Sequence, residues 1–229
     1  MQTQDVDIYL FQEVDTKAKR SYNINEYNGI KEDFSGISSF AYMFNSLYIP
    51  YPVFNTVGHV ESGVATLNKF DVKEATRIAL PSAYSWPKRA VMYKNCLLEQ
   101  RIAIDGSEKE LVLYNVHLDA YGAEEGKTEQ LDVLMNLMKE EYQKGNYVIA
   151  GGDFNQTFPG VDQEKFPIID TDNYVPVQIP DNYLPDGWKY AVDYERPTAR
   201  LLNEEYSGTY ENTQSVSYTH LRAHETRRH

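Results

Sequence analysis

The segment Tyr147–Gln156, which reads YVIAGGDFNQ, decides the fold class. Its apolar first half predicts a buried strand that ends at an acid, Asp153. Directly before it, Thr128–Lys144 has apolar residues at three- and four-residue spacing, which predicts a helix with Thr128 as its N-cap and Gly145 just beyond its end. The predicted apolar face of that helix consists of Leu131, Leu134, Met135, Met138 and Tyr142.

Six further stretches predict strands, because strand-forming residues alternate or cluster in them between turn residues. They are residues 6–13, an edge strand near Tyr42–Tyr48, residues 63–70 entered through a turn at Gly63, residues 75–81, residues 89–104 and Glu110–Leu118. A DGS turn centred on Gly106 separates the last two. A strand, the helix and the strand from Tyr147 follow in order, which predicts a parallel pair with a right-handed crossover.

Side chains suited to metal and phosphate chemistry fall on these strands. Glu13 is predicted at the end of the first strand, Asp153 and Asn155 at the end of the last, and His117 within another. Functional groups at strand ends can converge on one rim of a sheet sandwich, where loops leave room for a substrate. The pattern therefore predicts one site built from Glu13, His117, Asp153 and Asn155.

Four motifs in order along the chain carry a family resemblance. They are LFQEVD at 10–15, SGVATLNKF at 62–70, NVHLDAY at 115–121 and GGDFNQ at 151–156. Together they resemble the endonuclease/exonuclease/phosphatase superfamily from Asp5 to about Tyr206. The resemblance implies an α/β (α+β) fold, a four-layer sandwich of two mixed β-sheets flanked by helices.

The resemblance also implies a role for each site residue. Glu13 would bind the catalytic divalent cation, Mg²⁺ or Mn²⁺, and Asp153 would help to hold it and position or deprotonate the attacking water. Asn155 would hydrogen-bond the phosphoryl oxygens as negative charge builds on them, and His117 would donate to the scissile phosphate. The implied activity is metal-dependent phosphoester hydrolysis, with the substrate open among nucleic acids, phospholipids, inositol phosphates and other phosphoesters.

Each of these residues also has a structural interpretation. Glu13 reads as a solvated acid at a strand end, Asp153 and Asn155 as an Asx turn, and His117 as a hydrogen-bonded core residue. For the whole chain, one alternative is a non-catalytic binding or scaffold module on the same fold. Another is an unrelated α/β protein that carries GDFN by chance.

Two further pairs of residues invite a functional interpretation that the sequence does not favour. His59 and Glu61 read as surface residues of a glycine-rich loop. Arg89 and Arg101 are in reach of a phosphate in principle, but exposed arginines in salt bridges are commoner.

The C-terminal residues 215–229 are interpreted as a disordered artefact. Val216–Thr226, VSYTHLRAHET, back-translates to a sequence that resembles a transposase mosaic end with a sequencing adapter. For this reason the helical spacing of His220 and His224, which would suit a metal pair, is discounted. Residues 1–214 are expected to form a single truncated domain. The family's first strand, which ends in Asn, and its final Asp-His pair have no counterpart, so we expect a fragment with little or no turnover.

The net charge limits which classes of binding partner the protein is expected to have. The net charge is -12, and the tail contributes +2 from three arginines and one glutamate, which leaves -14 on the rest. This acidity disfavours strong non-specific binding to nucleic acid, which depends on Lys and Arg, whereas a metal site built from carboxylates tolerates it. No apolar run has membrane-spanning length. The sequence leaves the oligomeric state and the cellular location open.

Overall fold

The computed structural model describes residues 6–50, 52–82, 84, 86, 92–120, 124–159, 177–181, 183–185 and 188. Two compact units divide the chain between Gly152 and Asp153. The first unit contains two sheets and two helices, and the second contains a short two-stranded ladder. No helix in these ranges is long and apolar enough to cross a membrane.

Three strands near the N-terminus form the first sheet. Strands β1 (Ile8–Ala18) and β2 (Ile37–Ile49) both pair antiparallel with β3 (Gly58–Asn68), which lies between them. The predicted edge strand near Tyr42–Tyr48 is confirmed as part of the longer β2, which occupies an edge of this sheet.

The second sheet is built from the next four strands. These are β4 (Val72–Ala79), β5 (Cys96–Ala103), β6 (Glu110–His117) and β7 (Tyr147–Asp153), in the spatial order β4-β5-β6-β7. Helix α2 (Glu124–Gln143) connects β6 to its neighbour β7. A strand, a helix and an adjacent strand therefore follow one another, as the sequence predicts.

Apolar residues from both sheets close the interior of the sandwich. Ala41, Met43 and Val64 of the first sheet pack against Cys96 and Leu98 of the second. Burial of such side chains stabilises the fold by about 25 cal/mol for each Å² removed from water. The two sheets therefore share one core.

Buried amides join the two sheets beside this core. The side chain of Asn68 donates to Oε1 of Gln100 at 3.1 Å, and Nε2 of Gln100 donates to the Ser39 hydroxyl at 3.1 Å. Asn68 and Gln100 are both fully buried. Because a buried polar group is costly unless it is hydrogen-bonded, these bonds fix how one sheet sits over the other.

A helix covers the outer face of each sheet. Helix α1 (Glu26–Glu32) places Tyr27 and Ile30 against the first sheet. On the second sheet, Arg101 lies on the face opposite to Gln100 and binds Glu141 of α2. The order helix, sheet, sheet, helix confirms the predicted four-layer α/β sandwich.

The start and the apolar face of α2 differ from the prediction. The helix begins at Glu124, so Thr128 lies inside it and is not the N-cap. At the other end Tyr142 is 61% exposed and Glu141 is buried instead. An ion pair with the sheet, rather than apolar packing, therefore orients the last turn.

Gly145 ends α2 as predicted. Its φ is 88°, in the left-handed region, and its N–H donates to the carbonyl of Tyr142 at 2.9 Å. The N–H of Asn146 donates to the carbonyl of Glu141 at 3.1 Å. These two bonds form a Schellman motif, in which glycine adopts a positive φ without steric cost.

Gly63 is not the turn residue that the sequence suggests. It lies inside β3, and a Cβ at this position would overlap the backbone oxygen of Ala41 and lie 2.8 Å from the Phe40 ring. The glycine therefore permits close approach of β2 to β3. The turn into β3 is at Gly58, which has a φ of 73°.

Two strand predictions need correction. The predicted strand at 89–104 begins at Cys96, because the residues just before it bond to other elements: the N–H of Lys94 donates to the carbonyl of Met43 at 2.8 Å. Strand β7 is not fully buried, since Tyr147 and Ile149 are 58% and 51% exposed. It follows β6 at one edge of the described sheet, where one face stays open to solvent.

The second unit is described only in part. Strand β8 (Gln156–Thr157) pairs in parallel with β9 (Val177–Gln178), and the buried Ile179 donates its N–H to the carbonyl of Thr157 at 2.9 Å. The predicted artefactual tail at 215–229, with His220 and His224, and Arg89 lie outside the described residues. The single domain at 1–214 stays a prediction.

Candidate functional site

Glu13 lies at a bulge inside β1, not at the end of a strand as predicted. In the register of β1 and β3, Phe11 faces Ala65 and Val14 faces Gly63, so two residues of β1 oppose one residue of β3. Glu13 has a φ of 55°, a conformation that costs a non-glycine residue about 1–2 kcal/mol. Its side chain is 18% exposed. A bulge of this kind re-aims one side chain while the strand continues.

The bulge is held from the second sheet by Asn115. The side chain of Gln12 donates to Oδ1 of Asn115 at 2.8 Å, and Nδ2 of Asn115 donates to the carbonyl oxygens of Ala65 at 2.9 Å and Phe11 at 3.2 Å. Asn115 is fully buried. A single amide of β6 therefore ties β1 to β3 immediately before Glu13.

His117 follows Asn115 on the same face of β6, because alternate residues of a strand share a face. It is buried, at 5% exposure, and its carbonyl accepts a 3.0 Å hydrogen bond from the side chain of Asn95. Lys94, which precedes Asn95 in the chain, donates its backbone N–H to the carbonyl of Met43.

The register places Glu13 and His117 at the same end of the sandwich. Met43 lies between Tyr42 and Phe44, which pair with Gly63 and Ser62 of β3. Gly63 is also the partner of Val14, directly after Glu13. Glu13 and Met43 therefore lie at the same height in the first sheet. Lys94 bonds to Met43, and the neighbouring Asn95 bonds to His117 at the end of β6, so His117 lies at that height in the second sheet.

An ion pair beside Glu13 was not predicted from the sequence. Arg20 donates two hydrogen bonds to Asp15, from Nε to Oδ2 at 2.7 Å and from Nη2 to Oδ1 at 2.6 Å. Nη2 also donates to the Ser62 hydroxyl at 3.1 Å, and Nη1 lies 3.8 Å from Oε2 of Glu13. Asp15 is 2% exposed, and its N–H donates to Glu26 of α1 at 2.9 Å.

A tight turn after β1 brings Arg20 back to Asp15. The N–H of Asn23 donates to the carbonyl of Ala18 at 2.8 Å, and both Tyr22 and Asn23 have positive φ, at 54° and 59°. Sequence patterns did not reveal this pair, because the bulge and the turn are both formed without glycine.

Burial and neighbouring charges have opposite effects on the pKa of Arg20. Desolvation lowers the pKa of its guanidinium, whereas the hydrogen bonds to Asp15 and the charges of Asp15 and Glu13 raise it. The net shift raises the pKa above its ordinary value, so Arg20 carries its positive charge at every relevant pH.

His59 and Glu61 belong to β3, not to a glycine-rich loop. Nε2 of His59 lies 2.9 Å from Oε1 of Glu61, and the Thr16 hydroxyl is 3.4 Å from Oε2 of the same carboxylate. Both side chains are partly buried, at 24% and 27% exposure. Their mutual contact identifies them as a structural pair within β3.

The two glycines of GGDFN pack closely within the first unit. A Cβ at Gly151 would lie 2.7 Å from Cδ1 of Leu10 in β1, an atom at the end of a flexible side chain. Gly152 has a φ of 131°, and a Cβ there would overlap the backbone of Val116 in β6. Gly152 therefore needs both the small size and the backbone freedom of glycine, whereas a side chain at Gly151 would require Leu10 to move.

In the second unit, Asp153 and Asn155 form an Asx turn. The N–H of Asn155 donates to Oδ1 of Asp153 at 2.9 Å, and Asn155 has a φ of 50°. The two residues are 6% and 1% exposed. The adjacent Gln156 is 3% exposed, and its Nε2 has no hydrogen-bond partner among the residues that the structure describes. The pair therefore forms the Asx turn of the structural interpretation, and this turn fixes the Asp153 carboxylate against the backbone of Asn155.

The chemistry of these residues fits a magnesium ion. Magnesium is usually held by one or two protein carboxylates and keeps several water ligands. Glu13 in the first unit and Asp153 in the second are carboxylates of this kind, and no group of three or more His, Cys, Asp or Glu side chains is arranged to hold a metal within the described ranges. Whether Glu13 and His117 share one site with Asp153 and Asn155 stays a prediction.

Comparison with known proteins identifies the family over most of the chain. The sequence profile described as "Endonuclease/Exonuclease/phosphatase family" matches residues 1–210. The chain belongs to this family, in agreement with the resemblance carried by its four motifs. No curated protein matches the sequence significantly.

Solved structures of the same superfamily resemble the chain. Truncated TDP2 from Caenorhabditis elegans is 20% identical, with a TM-score of 0.41, over 65% of this chain and 49% of that one. The endonuclease/exonuclease/phosphatase from Beutenbergia cavernae DSM 12333 is 15% identical, with a TM-score of 0.48, over 66% and 39%. The human Nocturnin catalytic domain with bound sulfate anion is 18% identical, with a TM-score of 0.42, over 65% and 51%. The chain spans about half of these structures or less.

Proposed function

We propose that this protein is a metal-dependent phosphoester hydrolase. The observation that carries the proposal is the family match over residues 1–210, because Glu13, His117, Asp153 and Asn155 stand in three of the four motifs that carry the resemblance. Enzymes of this family typically depend on a divalent metal. Glu13, re-aimed by the bulge, and Asp153 are the carboxylates that would hold Mg²⁺ or Mn²⁺.

In the proposed reaction, water attacks phosphorus and the ester P–O bond breaks. Asp153 orients the water and accepts its proton, while the leaving oxygen takes up a proton as it departs. Asn155 and His117 donate hydrogen bonds to phosphoryl oxygens, where negative charge accumulates in the transition state. When bound, the cation supplies Lewis-acid polarisation of the phosphoryl group.

The Asx turn supports the assignment of Asp153, whose carboxylate it orders. A side chain that is already ordered loses little conformational entropy when it meets the reacting group, and preorganised donors are the most effective in catalysis. The bulge at Glu13 supports its assignment in the same way, because a strained backbone conformation held by several bonds is common at functional sites.

Hydrolysis of bis-p-nitrophenyl phosphate and p-nitrophenyl phosphate, with and without Mg²⁺, tests the proposal. We expect any release of p-nitrophenol to depend on the metal and to be abolished by Glu13→Gln and by Asp153→Asn. Glu74→Gln, an exposed change on β4, serves as a matched control and should behave as the unmodified chain. Mg²⁺ affinity should be measured on the same samples, because it reports on the metal ligands independently of turnover.

The competing function is a non-catalytic binding module on the same fold. It predicts that Glu13→Gln changes Mg²⁺ affinity only weakly and that no variant alters p-nitrophenol release. A decrease in Mg²⁺ affinity of about 100-fold or more in Glu13→Gln would favour the hydrolase, since loss of a direct ligand exceeds the effect of second-shell changes.

A further inference from the structure

One nitrogen of the Arg20 guanidinium, Nη1, makes an ion pair but no hydrogen bond within the described part of the chain. Of its five N–H donors, the one on Nε and both on Nη2 are directed to Asp15 and Ser62. Nη1 makes no hydrogen bond to any described residue, and its ion-pair partner, Oε2 of Glu13, is 3.8 Å away. That distance is too long for a hydrogen bond. Two strong donors therefore remain open beside the proposed metal ligand.

Asp15 fixes the direction of these open donors. A two-point contact between guanidinium and carboxylate leaves the plane of the arginine little freedom. Asp15 is itself buried and bonded to α1 through its backbone N–H, so the contact rests on an ordered group. The Arg20 side chain is 27% exposed, which leaves room for a ligand to approach it.

The local charges decide which ligand Nη1 can accept. Glu13, Asp15 and Glu26, whose carboxylate accepts from the N–H of Asp15, contribute three negative charges and Arg20 one positive charge, which leaves a formal net charge of -2. An anion approaching the cluster alone would meet repulsion. A divalent cation on Glu13 would bring the net charge to 0, which removes this repulsion and lets Nη1 of Arg20 bind a phosphate.

We propose that Arg20 is a phosphate-binding residue of the candidate site, with Nη1 donating to a non-bridging oxygen of the phosphoryl group. The inference rests on the proposed function and extends it, because it names a residue that contacts the anionic part of the substrate. It also makes phosphate binding and cation binding cooperative. Arginine suits this role better than lysine, because its fork serves Asp15 and the phosphate at once.

A purely structural role for Arg20 makes a different prediction. If Arg20 only holds the Glu13 bulge, its loss lowers stability and leaves the affinity for phosphate in the remaining folded protein unchanged. Arg20→Lys separates the two roles, because lysine can neutralise Asp15 or reach a phosphate but cannot do both with a single ammonium group.

Calorimetric titration with inorganic phosphate at saturating Mg²⁺ provides the test. We expect Arg20→Gln and Arg20→Lys to weaken phosphate binding by about 10- to 100-fold, the range for a hydrogen bond to a charged group. Arg77→Gln, an arginine of β4 that bonds to two backbone carbonyls, should stay within about twofold of the unmodified chain. Unchanged phosphate affinity in both Arg20 variants would overturn the inference, as would absence of phosphate binding by the unmodified chain.

A second measurement uses the unmodified chain and so does not depend on the folding of a variant. In nitrogen-15 spectra of the arginine side chains, added phosphate should shift the Arg20 signals in the presence of Mg²⁺ and leave those of Arg77 in place. Phosphate binding without a shift at Arg20 contradicts the inference. Arg20-dependent phosphate binding without any phosphoester hydrolysis would uphold it while refuting the proposed catalysis.

Discussion

Arg20 and Arg101 occupy similar electrostatic surroundings but use their donors differently. Arg101 directs all three of its nitrogens to carboxylates: Nε to Glu99 at 3.1 Å, Nη1 to Glu110 at 3.1 Å, and Nη2 to Glu141 at 2.7 Å. Arg20 commits two nitrogens to one carboxylate and leaves the third near Glu13. Every nitrogen of the Arg101 guanidinium is therefore hydrogen-bonded, whereas Nη1 of Arg20 makes no hydrogen bond to a described residue.

The difference separates a structural cluster from a functional one. Around Arg101 the carboxylates come from β5, β6 and α2, so their pairing joins the helix to the second sheet. Around Arg20 the partners fix a bulge and a turn, while donor capacity remains. An arginine whose nitrogens are all hydrogen-bonded to protein carboxylates contributes to stability. An arginine that is held in one orientation and keeps free N–H donors is able to bind a ligand.

Loss of Arg101 should give the largest change in stability. Arg101→Gln leaves the carboxylate of Glu141, which is 6% exposed, with only the exposed Lys144 as a cationic partner, and breaking a buried pair in this way costs about 3 kcal/mol. Urea unfolding of the variant should show this decrease, and calorimetry should show unchanged phosphate affinity. Weaker phosphate binding in Arg101→Gln would remove the distinction between the two clusters.

Acid should weaken the Arg101 cluster in a defined pH range. The hydrogen bonds from Arg101, reinforced by Lys144 and Asn146, lower the pKa of Glu141 to about 2 from an ordinary value of 4.5. The folded state holds the ionised form more strongly than the unfolded state does. The stabilisation is therefore complete above pH 4.5 and is lost as the pH falls toward 2.

The expected loss on acidification is about 3 kcal/mol, from 1.36 kcal/mol per pKa unit. Urea midpoints measured between pH 6 and pH 2 should follow it in the unmodified chain, and the slope should flatten in Arg101→Gln. Equal slopes in the two proteins would show that Glu141 does not carry the effect.

Asp15→Asn should affect both stability and binding. It replaces a charged, two-point contact with a neutral one, which we expect to cost about 2 kcal/mol. Because Arg20 loses its fixed orientation, phosphate affinity should also fall. A variant that loses stability but binds phosphate normally would indicate that Asp15 does not orient Arg20.

Arg77→Gln should give the smallest effect. Arg77 is exposed and donates to the carbonyls of Tyr42 and Lys94, so its removal should cost less than about 1 kcal/mol. It therefore serves as the baseline for the other arginine variants in both unfolding and phosphate binding.

The sequence predicted the architecture better than it predicted the site. Periodicity located the strand around His117, the C-terminal glycine of α2 and the order of the strands, because these follow from local propensity and hydrophobic pattern. It misplaced Glu13 at a strand end, since a bulge formed without glycine leaves no mark in the pattern. It also missed Arg20, because the contact with Asp15 depends on a turn that two non-glycine residues form at positive φ.

The proposed function requires Glu13 and Asp153 to be ligands of one divalent cation, and a double-mutant cycle on Mn²⁺ affinity tests this requirement most directly. Electron paramagnetic resonance would count bound Mn²⁺ in the unmodified chain, in Glu13→Gln, in Asp153→Asn and in the double variant. The account predicts one Mn²⁺ per chain and a double variant that binds scarcely more weakly than either single variant, because both ligands serve one ion. Independent, additive losses would contradict it.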